Sequence, residues 1–302
     1  MTVYTVHSEC VKYRYKTTIC SKATVFNVFV FVLTVTLPLV IAYITHGFWL
    51  KNVTYLEQPD VHFKHEFVLV VETERPESPV LCSSYPKFAE LSDSSGFCSM
   101  VTSREIDSNH DDKNDRMIFE VEVLMQNATA KSVKLFLLFD YKLHGTVQLR
   151  MEALALVQHA SSSPGTRLDV AADLRLVQKQ PLSPGRDSRF DVPVFDPGSP
   201  LPDRFNLRSV LREYASRSVS LNLKNVYSEW LAGRGNDETF TISTEIQYLE
   251  ETVLYRPGMW ETMKWAWVQY VTIAVVVGST LKMLKGFMLR NNIIPVMKDK
   301  WK

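Results

Sequence analysis

Residues 23–50, ATVFNVFVFVLTVTLPLVIAYITHGFWL, contain no Asp, Glu, Lys or Arg, and Lys22 and Lys51 stand at the two edges. A bilayer core of about 30 Å is crossed by about 20 mostly apolar helical residues. A charge at the centre of such a helix costs about 2.5–3.5 kcal/mol, which accounts for the abrupt stop at the lysines. The run predicts a transmembrane helix over 23–44, with Tyr43, Phe48 and Trp49 at the interface, where amphipathic rings lie. A cleaved signal peptide has an apolar core of about 7–15 residues followed by a small-residue cleavage site. This run is longer and no such site follows it.

A second charge-free run, Trp265–Leu281, lies near the C-terminus. Its seventeen residues make about 25 Å of helix, and snorkelling by Lys264, Lys282 and Lys285 extends the span to 259–284. Trp260, Trp265 and Trp267 form an aromatic belt on its entry side, and Lys22 and Lys282 mark the opposite interface. The net charge of +1 conceals an asymmetry: 24 of 34 basic but 31 of 33 acidic residues fall within 51–264. Basic flanks stay cytosolic and an acidic domain translocates regardless of its charge. The expected organisation is a cytosolic basic arm (1–22), a first span (23–44), an extracytoplasmic domain (45–258), a second span (259–284) and a cytosolic basic tail (285–302). Since the basic groups flank a membrane and form no single basic face, no nucleic-acid partner is expected.

Within the large domain, apolar residues alternate repeatedly. Phe119, Val121 and Val123 oppose Glu120 and Glu122, and Val147, Leu149 and Met151 oppose Gln148, Arg150 and Glu152. Leu168–Leu176, Val219–Leu223 and Phe240–Tyr248 repeat the rule; Glu66–Val71 and Lys134–Tyr141 read as further strands, the latter more fully buried. The fold class is thus a membrane protein in which two transmembrane α-helices flank a mainly antiparallel, sandwich-like β domain. One short helix interrupts the strands, with Leu207, Val210, Leu211 and Tyr214 at helical spacing and Asn206 as cap. Residues 180–202, rich in Pro, Gly, Ser and Asp, read as a long loop.

Few patterns carry chemistry. In DSNHDDKND, Asp107, Asn109, Asp111 and Asp115 match positions 1, 3, 5 and 9 of a hard-cation loop, so structural calcium is one reading. Asp112 replaces the glycine of the sharp turn and Ile118 the closing glutamate, and a solvated acidic turn is the other reading. No further cofactor is expected. Sequons stand at Asn52 and Asn127; Asn127 is the better glycan acceptor, because Asn52 lies against the first span. Cys82 and Cys98 fall in the oxidising compartment, where a disulfide would constrain the unfolded loop by about 3 kcal/mol. Cys10 and Cys20 face a reducing compartment; Cys20, beside the membrane, is a palmitoylation candidate or an idle thiol. Asn27 either bonds a neighbouring helix or faces headgroups, with headgroups the expectation; Pro38 should kink the first helix, and Ala274 with Gly278 makes a small-xxx-small pair. Alternation puts His62 and His65 on opposite faces of a strand. The sequence has no G-x-S-x-G, C-x-x-C, H-E-x-x-H or phosphate-cradling glycine loop, so no enzyme is expected.

Several strings together resemble one family. CSKA (Cys20–Ala23) precedes the first span and HGFWLK (His46–Lys51) follows it; EQPDVHFKH (Glu57–His65), VTSREIDSNHDDKND (Val101–Asp115), DLRLVQKQPL (Asp173–Leu182) and YRPGMWETMKWAWVQYV (Tyr255–Val271) come in order after them. The chain is similar to the transmembrane protein 231 family over nearly its whole length. Where this chain has Asp112 the family pattern has glycine, and Cys82 and Cys98 lie outside that pattern. The resemblance implies a two-span, non-enzymatic protein of the Meckel/B9 complex at the ciliary transition zone. It implies a role in the membrane diffusion barrier, cilium assembly and Hedgehog signalling, with multispan transition-zone proteins, tectonic-like proteins and B9-domain proteins as partners beside the lipid bilayer. Two other classes share the outline: an accessory subunit of a multispan transporter, and a two-span ion-channel subunit.

Overall fold

The computed structural model describes residues 13–19, 21–45, 52–74, 79–86, 96–125, 128–195, 207–233 and 239–300. They fall into two units, one formed by residues 1–51 with 257–302 and the other by 52–256.

The second unit is the β domain. Its strands are β2 (Val53–Glu57), β3 (Asp60–Thr73), β4 (Val80–Ser83), β5 (Gly96–Ile106), β6 (Arg116–Met125), β7 (Ala130–Lys142), β8 (Val147–Gln178), β9 (Gly185–Phe190), β10 (Val219–Ala232), β11 (Thr239–Tyr248) and β12 (Glu251–Tyr255). Nine of them form one sheet in the order β4-β3-β7-β8-β11-β6-β5, with β9 and β10 also paired to β8. The long β8 links two layers. Its first arm pairs with β7 and β9, and its second, from Gly165 onwards, pairs chiefly with β10 and β11. The layers face each other across one core: Phe119 of β6 lies with its ring 5.7 Å from Phe63 and 5.4 Å from Phe67 of β3. Cys82 of β4 and Cys98 of β5 are joined by a disulfide, Cα to Cα 6.0 Å, which ties together the two ends of the sheet order.

The sandwich is mainly antiparallel, as expected, with two parallel pairings added, β11 and β9 each to β8. Alternation is satisfied in either direction: Ile242 and Ile246 are buried whichever neighbour they have. The stretch read as a long loop also contains β9, whose Asp187 is held by Arg189. The runs Phe67–Val71 and Leu135–Phe139 are apolar without a break because both of their faces are buried. Leu69, Leu135 and Leu137 point into the inter-layer core, and Val68, Phe136 and Leu138 point outwards into a second cluster. Helix α2 (Leu207–Ser216; α1 is described below) covers that cluster with Val210 and Tyr214 buried; its expected cap, Asn206, lies outside the described residues. The Tyr214 hydroxyl accepts from Leu154 N of β8 at 3.1 Å and from Leu221 N of β10 at 2.8 Å, so the helix also caps backbone groups at two places in the sheet.

A separate ribbon pairs β2 with β12, and so sets the two ends of the domain side by side. Glu57 supports it by accepting from the backbone N–H of His144 and of Gly145, at 2.7 and 2.8 Å.

The first unit holds α1 (Lys22–Ile44) and α3 (Met259–Arg290). Ser21 caps α1 by accepting from Thr24 N, and the β-branched and aromatic run then continues to Ile44 with Pro38 inside it. Helix α3 runs six residues past its expected end at 284, because the Met, Leu, Lys and Arg residues of Met283–Arg290 are good helix formers. The tails are paired as well: β1 (Tyr13–Lys16) and β13 (Met297–Lys300) form an antiparallel ribbon with Arg14 opposite Asp299 and Tyr15 opposite Lys298.

Candidate functional site

Both α1 and α3 are long and apolar enough to cross a membrane. Large apolar side chains cover their outer surface, among them Val28, Phe31, Val40, Val271 and Val275. Such a surface is costly in water and ordinary in lipid, where the helical backbone satisfies its own polar groups. The faces turned inward carry smaller residues: Ala23, Val30, Pro38 and Ala42 are buried on α1, and Ala266 on α3. A Cβ built on Gly278 would lie 3.8 Å from Thr34 Cγ2, so the glycine of the small-xxx-small pair does face α1.

Asn27, expected among headgroups, instead accepts a hydrogen bond from Lys285 Nζ of α3. The prolonged α3 brings that lysine level with the first turns of α1. Five hydroxyls along the helices are satisfied by the helices' own backbone, whereas the buried Gln269 Oε1 of α3 has no hydrogen-bond partner among the described residues. Thr34, Thr36, Thr272, Ser279 and Thr280 donate to the carbonyls of Val30, Val32, Val268, Val275 and Val276, four residues back, so their protons are turned into the helix.

Of the interface residues, Lys22 opens α1 and is exposed, Trp260 and Trp265 are exposed on the first turns of α3 at 78% and 50%, and Lys282 is exposed near its far end. Trp49, Cys10, Cys20 and Asn127 lie outside the described residues. Asn52 is exposed immediately before β2.

In the acidic turn the side chains cap backbone amides. Asp107 accepts from the N–H of His110 at 2.7 Å and of Asp112 at 3.1 Å, Asn109 from Asp111 and Asp111 from Lys113. Asp115 accepts from Ser108 N at 2.8 Å and from Gln58 Nε2 at 3.1 Å, so it ties the turn to the neighbouring β2–β3 connection. Asp112 takes φ +64°, the conformation for which glycine is the easier residue. Among the described residues no group of three or more His, Cys, Asp or Glu side chains gathers to hold a metal ion. Each of Asp107, Asn109, Asp111 and Asp115 thus accepts from a backbone amide of the turn.

His62 and His65 do not take opposite faces. A bulge between Phe63 and Phe67, with His65 at φ +57°, breaks the alternation of β3. Both rings then reach alternate residues of β5: His65 Nδ1 is 3.1 Å from Ser103 Oγ and His62 Nδ1 is 3.6 Å from Glu105. His62 also lies 3.0 Å from Asp60, which brings His144 within 3.5 Å on its other oxygen.

The most deeply placed charges of the β domain are structural. Lys64 lies between Glu152, 2.6 Å, and Glu66, 3.1 Å; burial works against its charge, but the hydrogen bonds it donates to the two carboxylates outweigh this and hold its pKa above the ordinary value. The other Glu152 oxygen accepts from Val194 N, which anchors the chain beside Phe195 in the second cluster. Glu251 is pushed up by burial, although Leu176 N–H and Arg175 favour its charged form. Alternation flags Glu152 only as an outward residue. Its role arises from Lys64 and Val194, which are distant in the chain.

Comparisons with known proteins identify a family. The family model described as Transmembrane protein 231 matches residues 1–298. The transmembrane protein 231 of Homo sapiens is 37% identical over 298 residues, covering 97% of this chain and 94% of the relative. Those of Mus musculus and Xenopus tropicalis are 36% and 34% identical, each over 97% of this chain and over 94% and 95% of the relative. Among solved structures, a proton-activated chloride channel aligns over 88% of this chain and 99% of its own at a TM-score of 0.30 and 7% identity, which carries no argument. A full-length match at this identity leaves one conclusion: the chain belongs to the transmembrane protein 231 family.

Proposed function

We propose that this protein is a non-enzymatic structural component of the Meckel/B9 complex at the ciliary transition zone. There it contributes to the membrane diffusion barrier that controls which membrane proteins enter the cilium, and so supports cilium assembly and Hedgehog signalling. Its partners are other multispan transition-zone proteins, tectonic-like proteins and B9-domain proteins. Both termini are cytosolic, and the β domain is extracytoplasmic, with Asn127 its glycan acceptor.

Family membership across residues 1–298 is the observation that carries this reading. The molecule fits it physically. Two closely packed spans with internally satisfied hydroxyls offer no polar lane for an ion, whereas a large β domain and short basic tails offer surfaces to partners on both sides of a bilayer. The basic tails favour the cytosol, and their pairing through β1 and β13 keeps the two together.

The test is imaging of the tagged protein at native expression in a ciliated cell, against basal-body and axoneme markers. A ring just distal to the basal body is expected. Uniform plasma-membrane or endoplasmic-reticulum signal would overturn the assignment.

A further inference from the structure

Between α1 and α3, near the ends that lead to the tails, a cleft of about 590 Å³ opens. Apolar side chains of Val30, Phe31 and Leu281 wall it, and Asn27, Lys282 and Lys285 stand at its polar end. The helices come together where Gly278 meets Thr34, also part of its lining. Phe31 is 70% exposed, so the apolar wall continues onto the outer surface of α1.

Charge is unbalanced here. The sequence has no acidic residue from 23 to 56 or from 262 to 298. Glu261 is the sole carboxylate of either helix and sits about 36 Å along α3 from Lys285 at the helical rise. Lys285 is held by a neutral amide oxygen, which orients its ammonium without neutralising it. Lys282, one turn deeper, has no carboxylate partner among the described residues. Two ammonium groups without a carboxylate beside them, at the edge of a hydrocarbon layer, attract an anion from outside the chain, and one attached to an apolar tail fits the rest of the cleft.

We infer that this cleft binds one anionic phospholipid: its phosphate and acidic headgroup sit between Lys282 and Lys285, and one acyl chain lies along Val30, Phe31 and Leu281. Asn27 positions Lys285 towards the phosphate. The inference concerns the chemistry of the cleft and holds in either leaflet, so it is independent of the ciliary assignment.

Full-length protein in nanodiscs of phosphatidylcholine containing about one-tenth phosphatidylserine tests it, with retained lipid identified by native mass spectrometry. Two lysines near an acidic headgroup should enrich phosphatidylserine over phosphatidylcholine about tenfold or more. Lys282→Gln with Lys285→Gln should abolish the enrichment, whereas Lys282→Arg with Lys285→Arg should keep it. Equal retention of both lipids, or enrichment that survives the glutamine pair, overturns the site. Soluble glycerophosphoserine should not compete; if it did so at equal concentration, the acyl groove would be wrong. A photoreactive phosphatidylserine gives a readout on the wild type alone. Cross-links are expected at Val30, Phe31 and Leu281, and cross-links scattered over both helices would refute the cleft.

Discussion

Phe119 and Phe31 are the same residue in two solvents. Phe119 is fully buried against the rings of Phe63 and Phe67 in the β domain, whereas Phe31 is largely exposed on α1. The two units solve opposite problems. The β domain hides its apolar residues from water between two layers and holds nearly all the acidic residues of the chain. The helix pair turns apolar residues outward, keeps small ones between the helices and has one carboxylate. Burial is the organising force in the first unit, and close packing with satisfied hydroxyls in the second, because lipid supplies no hydrophobic drive between helices.

The largest effect that separates the units comes from the phenylalanines themselves. Phe119→Ala should lower the unfolding free energy of the β domain by about 3–5 kcal/mol, read by chemical denaturation of the full-length protein. Phe31→Ala should leave that transition unmoved, since its ring adds nothing to the domain core. Equal losses would break the contrast. Next comes the disulfide: Cys82→Ser with Cys98→Ser should cost about 2–5 kcal/mol, and reducing agent should give the same shift in wild type and none in the variant.

Glycines sharpen the comparison further. A Cβ on Gly165 would fall 2.2 Å from the Trp230 ring, so Gly165→Ala should cost about 1–3 kcal/mol and alter Trp230 fluorescence. At Gly278 the nearest atom lies at an ordinary 3.8 Å, and Gly278→Ala should leave the melt of the protein in nanodiscs within about 0.5 kcal/mol of wild type.

Smaller still is the effect of Glu251, whose pKa burial raises in the folded state. Its stabilising contribution is therefore complete below the unfolded carboxylate range and is lost as pH rises through the raised value. Glu251→Gln retains an acceptor for Leu176 N–H and remains neutral. Denaturation at about pH 4 and pH 7 should show the variant gaining on wild type at the higher pH only; a gain of equal size at both would rule out titration as the cause. Calcium should have the least effect. Adding it, or chelating it, is expected to leave the melt unchanged, because Asp107, Asn109, Asp111 and Asp115 already cap the turn. A rise that Asp107→Ala with Asp111→Ala removes would restore the ion-loop reading.

Much of the fold was legible along the chain. The absence of charge over 23–50 and 265–281 predicts both long helices, alternation predicts which side of β6, β8 and β11 is buried, and helical spacing predicts α2. These are local statements about where a side chain goes, into water, lipid or core, and each residue carries that preference by itself. Partner and direction are another matter. That β11 lies parallel to β8, that Asn27 receives Lys285, that a bulge turns His62 and His65 towards one strand, and that β1 meets β13 all depend on residues far apart in the chain. Periodicity specifies a buried face but not its neighbour. Hence the sequence by itself determined the two spans, the buried strand faces and the family, and the tertiary structure alone decided the strand order and the pairing of lysines with an apolar cleft. The reason is that partitioning between solvents is a property of single segments, whereas register, direction and juxtaposition are properties of pairs.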